Sequence, residues 1–220
     1  LLKHMPNRPE FYGVGGPLME QAGLKTLFPM SDISLMGISE ILSKYRFLKR
    51  RIAQAADAVI AGEADVLITI DLPEFSLRLA KAVRRRKQVP SVHYVAPTVW
   101  AWRPGRAQKM APFVDHVLAL FPFEPPYMQA AGMSCDFVGH PVVNDPCATR
   151  GEAQRFRAET GIDDAPMILC LPGSRGSEIK RLAPVFAKVV EKLHAARPDL
   201  KFVLPMAASV VTLVKDQIAT

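Results

Sequence analysis

The chain has 220 residues, 49% of them hydrophobic and 22% charged, with a formal net charge of +7 at neutral pH. That length serves one large domain or two modest ones, and that composition excludes a disordered or collagen-like chain. No apolar run reaches the roughly 20 residues of a membrane-crossing helix, and three cysteines without CxxC spacing (Cys135, Cys147, Cys170) argue for reduced thiols rather than a disulfide scaffold or zinc cluster.

The first residues, Leu1 to His4, read as the tail of a helix, and Thr220 falls inside another helix-like run, so the chain is expected to be a fragment cut at both ends. A strand over Phe11–Val14 leads into Gly13-Val14-Gly15-Gly16-Pro17. This is not a dinucleotide fingerprint, because Leu18 stands where G-x-G-x-x-G needs its last glycine, and a tight turn explains it equally well. A helix from about Ile38 to Ala61 carries Ile38, Ile41, Leu42, Tyr45, Leu48 and Ile52 on one face, edged by Lys44, Arg46, Lys49, Arg50 and Arg51. Such a helix can lie on an acidic membrane surface or simply face the core.

Asp65–Ile70 is the clearest strand, and its nearly unbroken apolar run predicts burial on both faces of a parallel sheet. Asp71 ends it and precedes a helix over Phe75–Arg86. Its carboxylate suits a catalytic base or a helix cap, and Glu74 three residues on fits a capping box. Arg84-Arg85-Arg86-Lys87 closes that helix, where the helix dipole favours cations, and reads as a solvated helix end. A strand over Ser91–Val95 holds His93, a pattern typical of a satisfied core histidine, and feeds the unusual segment His93 to Arg103. There Trp100, Trp102 and Arg103 can hold a sugar ring and a phosphate, or plug the edge of the core.

Further strands are predicted at His116–Leu120 and Phe137–Val138, with helices at Arg106–Ala111 and Pro125–Ala131. After Pro141 a polar stretch through Gly151 reads as a linker. A helix over Glu152–Glu159 follows, and the pattern restarts with strands at Met167–Leu171 and Phe202–Leu204 around a helix over Glu178–Ala196. Alternation of this kind predicts α/β units with parallel sheets. The loop Leu171 to Glu178 joins a strand to that long helix. Its glycines, Arg175 and the first N–H groups of the helix favour an anion, with Ser177 as a candidate cap. It is neither a Walker loop nor a nucleophile elbow.

Seven segments resemble the lipid-A-disaccharide synthase family, in family order over nearly the whole chain. They are Gly13-Val14-Gly15-Gly16-Pro17-Leu18-Met19, Leu35 to Leu42, Ile70-Asp71-Leu72-Pro73-Glu74-Phe75, His93 to Arg103, Phe121-Pro122-Phe123-Glu124, Phe137-Val138-Gly139-His140-Pro141 and Leu171 to Glu178. The resemblance implies an α/β fold of GT-B type, with two Rossmann-like domains facing across a cleft. Residues 1–143 would form the acceptor-side domain, nearly complete but without its first strand, and residues 144–220 the truncated start of the UDP-sugar-binding domain. It further implies an inverting glycosyl transfer from UDP-2,3-diacylglucosamine to 2,3-diacylglucosamine 1-phosphate (lipid X), without metal or cofactor, by a cytoplasmic enzyme held peripherally on the anionic inner membrane. A homodimer is compatible with that reading, and no nucleic-acid partner is expected.

Position by position, the resemblance makes Asp71 the general base and sets Ser174 and Arg175 at the UDP moiety. It matches the Leu35–Leu42 segment, with Leu35, Met36 and Ile38, to acyl-chain or membrane contact, to which the basic edge of the helix adds Arg50 and Arg51. Trp100, Trp102, Arg103 and His140 stand as a candidate substrate loop. The family's N-terminal strand and loop and the second half of its donor domain are absent, so the fragment itself is expected not to turn over. Two rival readings remain at this level: a UDP-sugar epimerase of similar two-domain fold, and a non-enzymatic binder of nucleic acid or other anions, suggested by charge alone.

Overall fold

The structure, a computed structural model, describes residues 9–33, 45–174, 176–207 and 210–218. Two compact units divide the chain, Leu1–Asn144 and Asp145–Thr220.

The first unit is organised by a four-stranded sheet of β3 (Leu67–Ile70), β4 (Ser91–Tyr94), β5 (His116–Ala119) and β6 (Ser134–Phe137). The strands lie in chain order and every pair is parallel, with Leu67 opposite Ser91, Val92 opposite His116 and His116 opposite Ser134. Parallel neighbours need a crossover between them. Those crossovers contain α3 (Pro73–Arg84), α4 (Arg106–Met110) and α5 (Pro125–Gln129). Upstream, β1 (Tyr12–Gly13) and β2 (Lys25–Thr26) form a separate parallel pair around α1 (Pro17–Gln21), and α2 (Tyr45–Ala61) follows. Gly15 is needed at the close approach beneath α1, because a Cβ there would lie 2.6 Å from both Leu24 and Met19 side-chain atoms.

Side chains alternate along a strand, and one face of this sheet supplies the core. Leu67 and Thr69, Ser91 and His93, Val117 and Ala119, and Cys135 are all buried. The faces of α2 (Leu48, Ile52, Ala55, Ala56, Val59) and α3 (Phe75, Leu79, Ala80, Val83) join them in one cluster with Met110 and Met128. Apolar residues recurring every three to four positions are what give each helix that single buried stripe. The described part of the amphipathic helix is therefore core-facing. The sheet's other face is different: Ile68 and Ile70 are 41% and 45% exposed. The expectation that this strand is covered on both faces is thus corrected, since α2 and α3 bury only alternate residues of it.

Ion pairs fix the ends of these elements. Arg84 pairs with Asp115, whose carboxylate also accepts the Ser91 N–H at 2.8 Å, so the end of α3 is tied to the starts of β4 and β5. Arg86 reaches Asp57 on α2 at 2.6 Å. The basic run that closes α3 is thus partly spent on structure. Element boundaries also shift. β6 lies over Ser134–Phe137 rather than Phe137–Val138, because pairing with β5 sets its register although Ser-Cys-Asp has little strand propensity. The sequence likewise gave no sign of β2 or α1.

In the second unit β7 (Met167–Leu169) pairs in parallel with β8 (Lys201–Val203), accompanied by α6 (Arg150–Glu159), α7 (Gly176–Ala196) and α8 (Val211–Ile218). Ile179, Val210 and Val214 are its buried apolar cluster. Thr149 and Glu152 form a reciprocal capping box at the start of α6: Glu152 accepts the Thr149 N–H at 2.7 Å, and Thr149 Oγ1 accepts the Glu152 N–H at 3.3 Å. The helix therefore begins two residues before the predicted Glu152. All three cysteines are free thiols, and burial pushes that of Cys135 up to about 11.

Met128, fully buried where α5 meets the core, sets a test of this packing. Met128→Ala is expected to destabilise the full-length protein by about 2–5 kcal/mol in a denaturant titration. A loss below about 0.5 kcal/mol would mean that the site is not packed as described.

Candidate functional site

Parallel pairing sends the carboxyl ends of β3 to β6 to one edge, and the ladder extends past each strand. The Asp71 N–H donates to Tyr94 O at 2.9 Å, the Val95 N–H to Leu118 O at 3.0 Å, and the Val138 N–H to Ala119 O at 2.9 Å. At that edge the backbone is strained. Asp71 and Leu72 have φ of 43° and 46°, and Val95 has φ of 82°. Left-handed conformation costs an L-residue about 1–2 kcal/mol, and for β-branched Val95 it is a marked outlier. Such strain clusters at functional sites, where the surrounding structure holds it in place.

Asp71 is exposed at this edge. The cap reading of Asp71 is corrected: Leu72 is the residue that precedes α3, and no side chain caps the helix. Glu74, cast as the other half of a capping box, instead pairs with Arg78 at 2.8 Å and approaches Arg106 at 3.6 Å. One rung behind Asp71, His93 is 1% exposed and its Nδ1 lies 2.8 Å from Thr69 Oγ1. Burial pulls its pKa down to about 4, against the opposing pull of the Asp71 charge. His93 is thus a neutral, satisfied core histidine near physiological pH.

The loops after β4, β5 and β6 bring rings together. Trp100 meets Phe123 edge-on at 5.2 Å, Phe123 lies within 7° of parallel to Phe121 at 5.5 Å, and Phe121 contacts His140 at 6.0 Å. Val99 and Ala96 are the buried residues of the tryptophan loop, so they, and not the tryptophans, close the core. Trp102 stands apart from this cluster in a cation–π pair, with the Arg103 guanidinium 5.4 Å from its ring. The candidate loop therefore divides: Trp100 joins His140, while Trp102 and Arg103 pair with each other. Phe121 and Phe123 were not singled out as site residues. Their signals in the sequence were their place directly after a strand and the resemblance carried by Phe121-Pro122-Phe123-Glu124.

In the second unit Ser174 lies in the loop between β7 and α7, and its N–H donates to Glu178 Oε2 at 3.0 Å. Gly173, at φ 123°, is needed there, because a Cβ would lie 2.6 Å from Glu178 side-chain atoms. Helix α7 already includes Gly176, so Ser177 falls within its first turn and is not its cap. Leu35, Met36, Ile38 and Arg175 lie outside the described residues. Arg50 is exposed on α2, whereas Arg51 is held in the fold, 2.5 Å from Asp32 and stacked over the Phe28 and Phe47 rings. Among the described residues no group of three His, Cys, Asp or Glu is placed to hold a metal ion, and no helix is long and apolar enough to cross a membrane.

A family model described as lipid-A-disaccharide synthetase matches residues 1–218. A lipid-A-disaccharide synthase of Ruegeria pomeroyi is 55% identical over 210 residues, covering 96% of this chain and 52% of the relative. Proteins of the same name from Rhodospirillum centenum and Nitrobacter winogradskyi are 46% and 43% identical, with 99% and 96% of this chain covered against 55% and 53% of theirs. The chain spans about half the length of the curated relatives it matches. Among solved structures, a putative UDP-N-acetylglucosamine 2-epimerase from Listeria monocytogenes aligns with a TM-score of 0.54 at 12% identity, over 94% of this chain and 64% of that one. That likeness concerns the fold alone and agrees with the parallel α/β architecture of GT-B type.

His93 generates a pH prediction. Its folded form takes up a proton only near pH 4, whereas the unfolded chain does so near the ordinary value of 6.5. The contribution of the neutral ring is whole above about pH 6.5 and is lost as pH falls toward 4, at about 1.4 kcal/mol per pH unit within that window. In urea titrations of the full-length protein, His93→Gln is expected to flatten the fall in stability between pH 6.5 and 4.5. An unchanged slope would remove His93 from this account.

Proposed function

From the premise that this chain belongs to the lipid-A-disaccharide synthetase family, we propose that the whole protein is an inverting glycosyltransferase joining UDP-2,3-diacylglucosamine to 2,3-diacylglucosamine 1-phosphate. The products are lipid A disaccharide 1-phosphate and UDP. Residues 1–143 are read as the acceptor-side domain and residues 144–220 as the start of the UDP-sugar-binding domain. The observation that carries the reading is Asp71, an exposed carboxylate on a strained backbone at the carboxyl edge of the main sheet.

In this mechanism the acceptor's 6-hydroxyl attacks the anomeric carbon of the donor and its proton passes to the Asp71 carboxylate. As the new C–O bond forms, the bond from the anomeric carbon to the diphosphate breaks, and UDP leaves with the electron pair. Negative charge develops on the leaving group, where Arg175 and the loop at Ser174 stabilise it. Glu178 already accepts the Ser174 N–H, so a diphosphate bound there displaces or rearranges that carboxylate. Both substrates carry acyl chains. This supports peripheral attachment to the anionic inner membrane through Leu35, Met36, Ile38 and Arg50, with Arg51 retained as a packing residue. Homodimer formation remains compatible with this reading.

Two experiments test it in the full-length protein. Asp71→Asn keeps the size of the side chain but cannot accept a proton. It is expected to lower kcat about 100-fold or more in an assay for disaccharide, with the melting temperature and donor binding unchanged. Retention of most of the turnover would overturn the assignment. For the membrane, Met36→Ser and Ile38→Ser combined with Arg50→Gln should reduce sedimentation with anionic liposomes. Undiminished binding would confine this segment to the core.

A further inference from the structure

The ring cluster on the carboxyl edge of the first unit has three features of a built ligand surface. Its rings come from three separate loops, after β4, β5 and β6, yet touch one another in sequence. Trp100, Phe121 and Phe123 are nevertheless 45%, 40% and 46% exposed. Large rings in mutual contact but open to water mark an interaction surface more often than a failed core.

The second feature is that the loop is held from beneath. Glu124 is buried, and its Oε2 accepts the backbone N–H groups of Leu120 and Phe121, both at 3.0 Å. A buried carboxylate spent on two successive amides fixes the start of the Phe121–Phe123 turn, and the near-parallel contact sets the two rings against each other. Ligand binding then costs little ordering of these side chains.

The third feature is polar. His140 Nδ1 accepts the Val142 N–H at 3.1 Å. The neutral ring therefore carries its proton on Nε2, a hydrogen-bond donor at the margin of an otherwise apolar surface. An apolar face with a donor at its rim complements a pyranose, which presents C–H groups on its faces and hydroxyls around its edge. An acyl chain has nothing to offer that donor.

We propose that Trp100, Phe123, Phe121 and His140 form a stacking platform for the pyranose ring of the acceptor sugar. The proposal rests on the glycosyl-transfer reading and deepens it. The same strand ends carry Asp71 and the platform loops, joined by the hydrogen bonds from Asp71 to Tyr94 and from Val95 to Leu118. The acceptor hydroxyl must meet the base at that edge, and residues 1–143 are read as the acceptor-side domain, so the acceptor sugar, and not the sugar or uridine of the donor, is the ring assigned to the platform.

The test uses the full-length protein with glucosamine 1-phosphate, which has the sugar and phosphate but no acyl chains. Saturation-transfer NMR with irradiation of aromatic protons is expected to label the C–H protons of the sugar ring, and excess UDP should leave that signal in place. Phe123→Leu should weaken the signal and raise the acceptor KM about fivefold, the scale of one lost ring contact, with the donor KM unchanged. Phe123→Tyr, which keeps the ring, should restore both. The proposal is overturned if the sugar receives no saturation, if UDP abolishes it, or if Tyr fails as Leu does. The two readings can fail separately. An inactive Asp71→Asn protein with no sugar signal removes the platform alone, and an active Asp71→Asn protein that still gives the signal removes only the base.

Discussion

Parallel pairing of β3, β4, β5 and β6 is the constraint on which the first unit depends. Because all four strands point the same way, every loop that follows one leaves from the same edge, and every crossover helix must return along a face. The helices α2 and α3 take one face, where their apolar stripes join Leu67, Val117, Ala119, Met110 and Met128 in one core cluster, and Thr69 and His93 are buried on the same face. The carboxyl edge collects Asp71, the Trp100 loop, the Phe121–Phe123 turn and His140, residues as much as about 70 positions apart in the chain. This is the general reason why ligands of open α/β sheets are found beyond the carboxyl ends of strands.

The strain at Asp71, Leu72 and Val95 belongs to the same constraint. Asp71 and Val95 are held by the ladder just beyond their strands, through their N–H groups, while the Leu72 carbonyl accepts the Phe75 and Ser76 N–H groups and turns the chain into α3. Neutral His93, bonded to Thr69, fills the space beneath without adding a second charge next to the carboxylate. An uncharged ring behind Asp71 sets no fixed charge from the core against that exposed carboxylate.

Features set by local chemistry could be read from the sequence. The strands at 67–70 and 91–94, the apolar stripe from Leu48 to Ile52 and the position of Asp71 after a strand all follow from periodicity and neighbouring residues. What could not be read depends on contacts between distant segments. Asp71 and Glu74 have the spacing of a capping box, yet Arg78 and Arg106 claim Glu74 and the box forms instead at Thr149 and Glu152. Arg51 looked like one cation in a basic edge until Asp32, Phe28 and Phe47 gathered around it. Phe121 and Phe123 gained meaning only beside Trp100 and His140, which no spacing rule connects.

The order of the strands has a consequence for how the unit is made. Leu67 faces Ser91, Val92 faces His116, and His116 faces Ser134, so each strand pairs with the next one to be synthesised. None of these four described strands waits for a distant partner, and each new strand–helix segment can dock on an edge already formed. Each closure spans only one strand–helix–strand crossover, which favours stepwise assembly. The sheet can therefore grow in the direction of translation, with the edge that carries Asp71 extending by one loop each time a strand is added.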